Sequence, residues 1–222
     1  MKKLPQDLKI TLEHVARHLK SGRTLNPRLI FDGWTYEQAY DILESAYRIE
    51  VENRQLEYLC TKELCEHLED IARWMTSGNG FGLALMGNVG NGKTTMAKAF
   101  CDAVRLAQFD DNGEILGIRF VDSNQVTRLC RESYEQFRKL CESKFLCLDD
   151  MGREPVEVKD YGNVLNPVVE LVQYRYEQQL PLVITTNLDP GMIDSRYGRR
   201  ILDRFKEMMH IVVFGERSYR HG

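Results

Sequence analysis

Eight residues, Gly87-Asn88-Val89-Gly90-Asn91-Gly92-Lys93-Thr94, constrain this chain more than any other segment. They have the spacing G-x-x-x-x-G-K-[ST]. An apolar run, Gly82 to Met86, precedes them, and a helix-compatible run, Thr94 to Leu106, follows. In that setting glycines let successive backbone N–H groups turn inward around an anion. A helix opening at Thr94 adds the positive end of its dipole. Lys93 is expected to reach the outer phosphates of a nucleotide, and the Thr94 hydroxyl to ligate Mg2+. Asn88, Val89, Gly90, Asn91, Gly92 and Thr95 complete the expected phosphate-lining stretch. A chance glycine turn does not account for the strand-loop-helix setting.

The 222 residues suit one full domain and a smaller appendage. Residues 1–78 read as a helical N-terminal region, and residues 79–222 as an α/β domain. Leu8, Leu12, Val15 and Leu19 fall at helical spacing, as do Leu64, Leu68, Ile71 and Met75. Thr35-Tyr36-Glu37-Gln38 fits a capping box ahead of Leu43, Ala46 and Tyr47. After the break at Ser77-Gly78-Asn79-Gly80 the pattern alternates. Strands are expected at Gly82 to Met86, Ile118 to Val121, Phe145 to Leu148, Leu182 to Thr185 and Ile211 to Phe214. The intervening helices are Thr94 to Leu106, Gln125 to Leu140, Val164 to Gln179 and Gly198 to Met208. This β-α alternation predicts a parallel five-stranded sheet flanked by helices.

Ligands of such sheets gather at the carboxyl ends of strands. Phe145-Leu146-Cys147-Leu148 ends there in Asp149-Asp150. Asp149 is expected to hold Mg2+, and Asp150 to orient or deprotonate water. Glu154 competes with Asp150 for the second role. Leu182-Val183-Ile184-Thr185-Thr186 ends in Asn187, which reads alone as the start of a turn, Asn187-Leu188-Asp189-Pro190. The segment Arg196 to Lys206 is basic, with Arg200 and Arg204 on one helical edge. Alone, that edge reads equally as a solvated face or as an arginine that acts on a neighbour's phosphate. Arg217 and Arg220 are equally open.

The formal net charge is −3, so nucleic-acid binding requires a local patch or several assembled copies. No run approaches the roughly 20 apolar residues that span a bilayer, and Met1-Lys2-Lys3 is not followed by a signal-like apolar stretch. A cytoplasmic location is expected. The six cysteines form no C-x-x-C pair and are expected as reduced thiols. Cys60 and Cys65 give only a faint metal-site spacing.

These pieces together resemble the AAA+ family of P-loop NTPases. More narrowly they resemble bacterial helicase loaders of the DnaC/DnaI type and the related IstB transposition helpers. The likeness covers Gly82 to Arg220 and rests on Leu148-Asp149-Asp150-Met151-Gly152, Ile184-Thr185-Thr186-Asn187-Leu188, Tyr197 to Arg204, and Ser218-Tyr219-Arg220. The resemblance implies ATP and Mg2+ as cofactors. It places Lys93, Asp150, Asn187 (first sensor) and Arg204 (a finger acting across a subunit boundary) in catalysis. Thr94 and Asp149 become metal ligands, and Arg220 a second sensor on the phosphates. It implies an ATP-dependent homo-oligomer that meets single-stranded DNA and either a replicative DNA helicase or a transposase. The stretch before Phe145 is short, so the extra helix that loaders lay along single-stranded DNA is expected to be reduced.

Three other readings compete: a transposition helper with the same ATPase, a small-molecule kinase, and an ATP-gated switch without turnover. No basic lid insertion favours the kinase. Asp150 in place of a longer glutamate points to slow hydrolysis.

Overall fold

The structure, a computed structural model, describes residues 29, 33–77, 81–107, 117–160 and 163–215. The expected helix at Leu8 to Leu19, the break at 78–80, and Arg217 to Arg220 lie outside the described residues.

Helix α1 (Tyr36–Glu52) begins with the expected capping box: Gln38 N donates to Thr35 Oγ1, and Thr35 N to the Gln38 side chain. Helix α2 (Lys62–Thr76) buries Leu64, Leu68, Ile71 and Met75 on one stripe. Strand β1 (Gly82–Gly87) and helix α3 (Lys93–Ala107) flank the glycine-rich loop. There follow β2 (Ile118–Asp122), α4 (Ser123–Glu132), α5 (Tyr134–Cys141) and β3 (Phe145–Met151). A short antiparallel pair, β4 (Val158–Asp160) and β5 (Asn163–Leu165), leads to α6 (Pro167–Glu177). The chain closes with β6 (Leu182–Thr186), α7 (Pro190–Tyr197), α8 (Arg199–Met208) and β7 (Met209–Phe214).

Five strands form one parallel sheet in the order β2-β3-β6-β1-β7. Successive strand side chains point to opposite faces, and here both faces are apolar, as a parallel sheet requires. Leu83 and Leu85 of β1, with Phe145 and Cys147 of β3, join a cluster with α1, α2 and α3. Ala84 and Met86, with Leu146 and Leu148, join a second cluster with α4 to α8. Helices α1 and α2 and the sheet therefore share one core.

Four local features depart from the sequence reading. The expected helix Gln125 to Leu140 is two helices, because Ser133 is extended (φ −157°, ψ 97°) and its hydroxyl accepts from Gln136 N at 3.4 Å to start α5. Val164 belongs to β5 rather than α6, which starts after Asn166, whose side chain accepts from Val169 N at 3.2 Å. Asp189 caps α7, accepting from Met192 N at 2.7 Å with Pro190 behind it, where the sequence suggested only a turn. The expectation of reduced thiols fails for one pair. Cys60 lies just ahead of the cap residue Thr61 and Cys65 one turn into α2, which brings their Cα atoms to 6.4 Å and joins them in a disulfide. Among the described residues no helix is long and apolar enough to cross a membrane.

Candidate nucleotide site

The glycine-rich loop leaves β1 at its carboxyl end and turns into α3, with positive φ at Gly87, Gly90 and Gly92. Asn88 and Val89 form its exposed outer rim, and Val89 is 61% exposed. Lys93 folds back over the loop: its Nζ donates to Gly87 O at 2.7 Å, Asn88 O at 2.5 Å and Asn91 Oδ1 at 3.0 Å. Thr95 is buried behind the loop.

Strand β6 lies between β1 and β3 in the sheet, and the loop meets the acidic end of β3 above it. Thr94 Oγ1 donates to Asp149 Oδ1 at 3.0 Å. Thr185 Oγ1 of β6 donates to the same oxygen at 2.6 Å and accepts from Asp150 N at 2.8 Å. The β3–β6 register shifts between Leu148 and Met151, which inserts one extra residue at the aspartate pair. A bulge of this kind re-aims side chains. Asp150 sits at φ 55°, a left-handed conformation that aspartate tolerates better than most residues. Ser123 Oγ fixes its carbonyl at 2.8 Å.

Asp150 Oδ2 accepts from Arg153 Nη1 at 2.7 Å, and this bond raises the Arg153 pKa. Glu154, the alternative water-orienting residue, is turned inward. Its carboxylate accepts from Gly152 N at 2.8 Å and from the Tyr197 hydroxyl, with Arg196 at 3.8 Å. Burial, then this bond to Glu154, raises the Tyr197 pKa. Asn187 is half-buried directly after β6, whose Thr186 hydroxyl donates to Met151 O at 2.6 Å.

Arg204 is placed differently. Its side chain is only 10% exposed, donates to Glu177 of α6 at 3.1 Å and lies over the Tyr176 ring at 5.1 Å. Arg200 is exposed. Arg220 lies outside the described residues. The structure thus joins Thr94 to Asp149, while Lys93 bonds within the loop and the Asp150 carboxylate bonds Arg153. It adds Thr185, which the sequence reading passed over although a threonine pair in an apolar strand was its signal. It also shows that the Asn91 side chain bridges Lys93 over the loop and the end of β7.

A Mg2+ site fits this donor set. One carboxylate and one hydroxyl, 3.0 Å apart, suit an ion that takes one or two protein oxygens and completes its shell with phosphate and water. Among the described residues no group of three or more His, Cys, Asp or Glu side chains could hold a metal alone.

The family model described as IstB-like ATP binding protein matches residues 54–222, well over half of the chain. The chain belongs to the IstB-like ATP-binding family. Its fold is that of P-loop AAA+ ATPases. The DnaC helicase loader superposes with a TM-score of 0.56 at 21% identity, over 72% of this chain and 94% of that one. DnaI gives 0.57 at 20%, over 80% and 93%. A putative primosome component from Streptococcus pyogenes gives 0.54 at 15%, over 80% and 99%. At these identities the likeness is one of fold. No curated protein sequence matches this IstB-like chain.

Proposed function

We propose that this IstB-like protein binds ATP with Mg2+, hydrolyses it slowly, and uses the cycle to load a replicative DNA helicase, in contact with single-stranded DNA. The observation that carries the reading is the junction of Thr94 and Asp149 at 3.0 Å, which joins the glycine-rich loop to the acidic strand end. Lys93 and the loop amides would hold the phosphates. Thr94 and Asp149 would hold Mg2+, whose charge neutralises that developing on the transferred phosphoryl group. Asp150 is the residue left to orient water, since Glu154 is committed to Gly152 and Tyr197. Its approach to water requires the Arg153 bond to open. Asn187 would act as first sensor and Arg220 as second.

Arg204 is proposed as a finger between copies, which requires it to leave Glu177 and Tyr176 on assembly. Residues 1–78 are proposed to grip the partner, and residues 79–222 to form the ATPase. The match to the IstB-like family favours a second reading, an ATPase helper of DNA transposition.

Three experiments test these points. ATP turnover with and without single-stranded DNA is expected to be weak and stimulated. Lys93→Ala turning over ATP like the wild type would end the proposal. Mixing Arg204→Ala with Lys93→Ala protein is expected to restore part of the activity. Capture of partners by the full chain, with and without ATP, separates the two readings: a helicase supports the first, a transposase the second.

A further inference from the structure

Asn91 occupies a position that the loop's spacing leaves unspecified, yet its side chain is almost completely buried, at 3% exposure. Its Nδ2 donates to Phe214 O at 3.2 Å and to Gly215 O at 2.9 Å, where β7 ends. Its Oδ1 accepts from Lys93 Nζ at 3.0 Å. Gly215 N in turn donates to Glu63 Oε1 at 2.7 Å, in the first turn of α2. A carboxylate there is favoured by the helix dipole. The line Lys93, Asn91, Gly215, Glu63 is thus a continuous run of hydrogen bonds from the phosphate loop to α2.

Two glycines make the close approach possible. A Cβ at Gly87 would run into Phe214 O and come within 3.0 Å of the Asn91 amide nitrogen. One at Gly215 would run into the Glu63 carboxylate.

We propose that Asn91 is a positioning residue that couples occupancy of the phosphate loop to the end of β7 and, through Gly215 and Glu63, to the first turn of α2. The proposal rests on the reading of the loop as an ATP site. A phosphate entering the loop competes with Asn91 Oδ1 for the Lys93 ammonium group. An amide that loses this partner changes its hold on Phe214 and Gly215, because a buried oxygen left unpaired is costly. The coupling is reciprocal: whatever fixes the end of β7 biases nucleotide affinity by the same factor. A purely structural asparagine would satisfy the two carbonyls and transmit nothing.

Hydrogen–deuterium exchange on the full chain, with and without a non-hydrolysable ATP analogue and Mg2+, tests this. In the wild type, nucleotide is expected to change exchange at 87–94, 209–215 and 61–66. In Asn91→Ala, measured at saturating nucleotide, only the change at 87–94 is expected to remain, with affinity higher by about tenfold, because the competitor for the Lys93 ammonium group, worth one buried hydrogen bond, is gone. In Glu63→Ala, the response at 61–66 is expected to disappear while that at 209–215 persists, a split that general loosening would not produce. Transmission in Asn91→Ala as in the wild type, or a wild-type response confined to 87–94, overturns the coupling alone. Absence of any response at 87–94 in the wild type removes the ATP-site reading and the coupling with it. If Asn91→Ala does not fold, the Glu63→Ala arm decides: a persisting response at 61–66 overturns the proposal.

Discussion

The two ends of the sheet each hold a side-chain cation among backbone carbonyls, and the two differ in what surrounds them. At the carboxyl end, Lys93 Nζ donates to Gly87 O and Asn88 O, in a loop whose rim residue Val89 is 61% exposed. At the amino end, Arg175 of α6 is fully buried. Its guanidinium donates to Pro181 O at 3.1 Å, Cys141 O at 3.0 Å, Ser143 O at 2.9 Å and Lys144 O at 3.4 Å. Those carbonyls belong to the end of α5 and to the residues that enter β3 and β6. Arg175 therefore ties one helix to the starts of two neighbouring strands with the rigid fork of donors that only arginine carries. The Lys93 carbonyls line an open rim, where an incoming anion can take their place. The same bonding serves as a permanent joint in one region and an exchangeable one in the other.

The largest effect should come from the permanent joint. Arg175→Met is expected to lose about 4 kcal/mol of stability in denaturant unfolding, because several buried carbonyls lose their donor. Its nucleotide affinity, where it folds, should stay near that of the wild type. Lys93→Ala should do the reverse, weakening nucleotide binding by about 100-fold in calorimetry, the value of a charge-assisted contact. Without nucleotide it should lose about 1 kcal/mol, less than Arg175→Met, because the buried Asn91 oxygen loses its donor. If Lys93→Ala proved the less stable variant and Arg175→Met the non-binder, the contrast would collapse.

Thr185→Val sharpens the comparison, since Thr185 belongs to both the sheet and the site. It should cost about 1.5 kcal/mol in stability and also lower turnover, measured as phosphate release. The smallest effect is expected from replacing Cys60 and Cys65 together by serine. The disulfide closes a loop of sequence separation 5, so thermal unfolding should report a loss of about 1 kcal/mol, the low end for such bridges.

The three central strands, β1, β3 and β6, were legible in the sequence because strands buried on both faces read as nearly unbroken apolar runs, and the half-exposed edge strands β2 and β7 were placed by the β-α alternation. All five expected strands are present, each extended by one to three residues. The loop and the aspartate pair were legible because their chemistry is local: spacing alone places glycines, a lysine and a threonine around one anion. What escaped depends on contacts distant in the chain. Arg175 meets carbonyls of residues 141–144, and Asn91 meets residues 214 and 215, pairings that no spacing encodes. The break at Ser133 escaped because serine inside an amphipathic run reads as a solvated face until its hydroxyl is seen capping α5. The sequence leaves Arg204 open between a solvated edge and an arginine that acts on a neighbour, and neither reading shows that Glu177 and Tyr176 draw it inward.

The surplus residue in β3 has a consequence for what this strand can become. Upstream of it, Leu146 and Leu148 face one apolar cluster and Phe145 and Cys147 the other, so even and odd positions sort cleanly. Met151 breaks the parity by joining Leu146 and Leu148. Deleting one aspartate would restore strict alternation and a smoother ladder, yet leave a single carboxylate for the two roles proposed above. An insertion or deletion here would re-aim the acids where a substitution alters only one side chain, because the count of residues, as much as their identity, sets their direction.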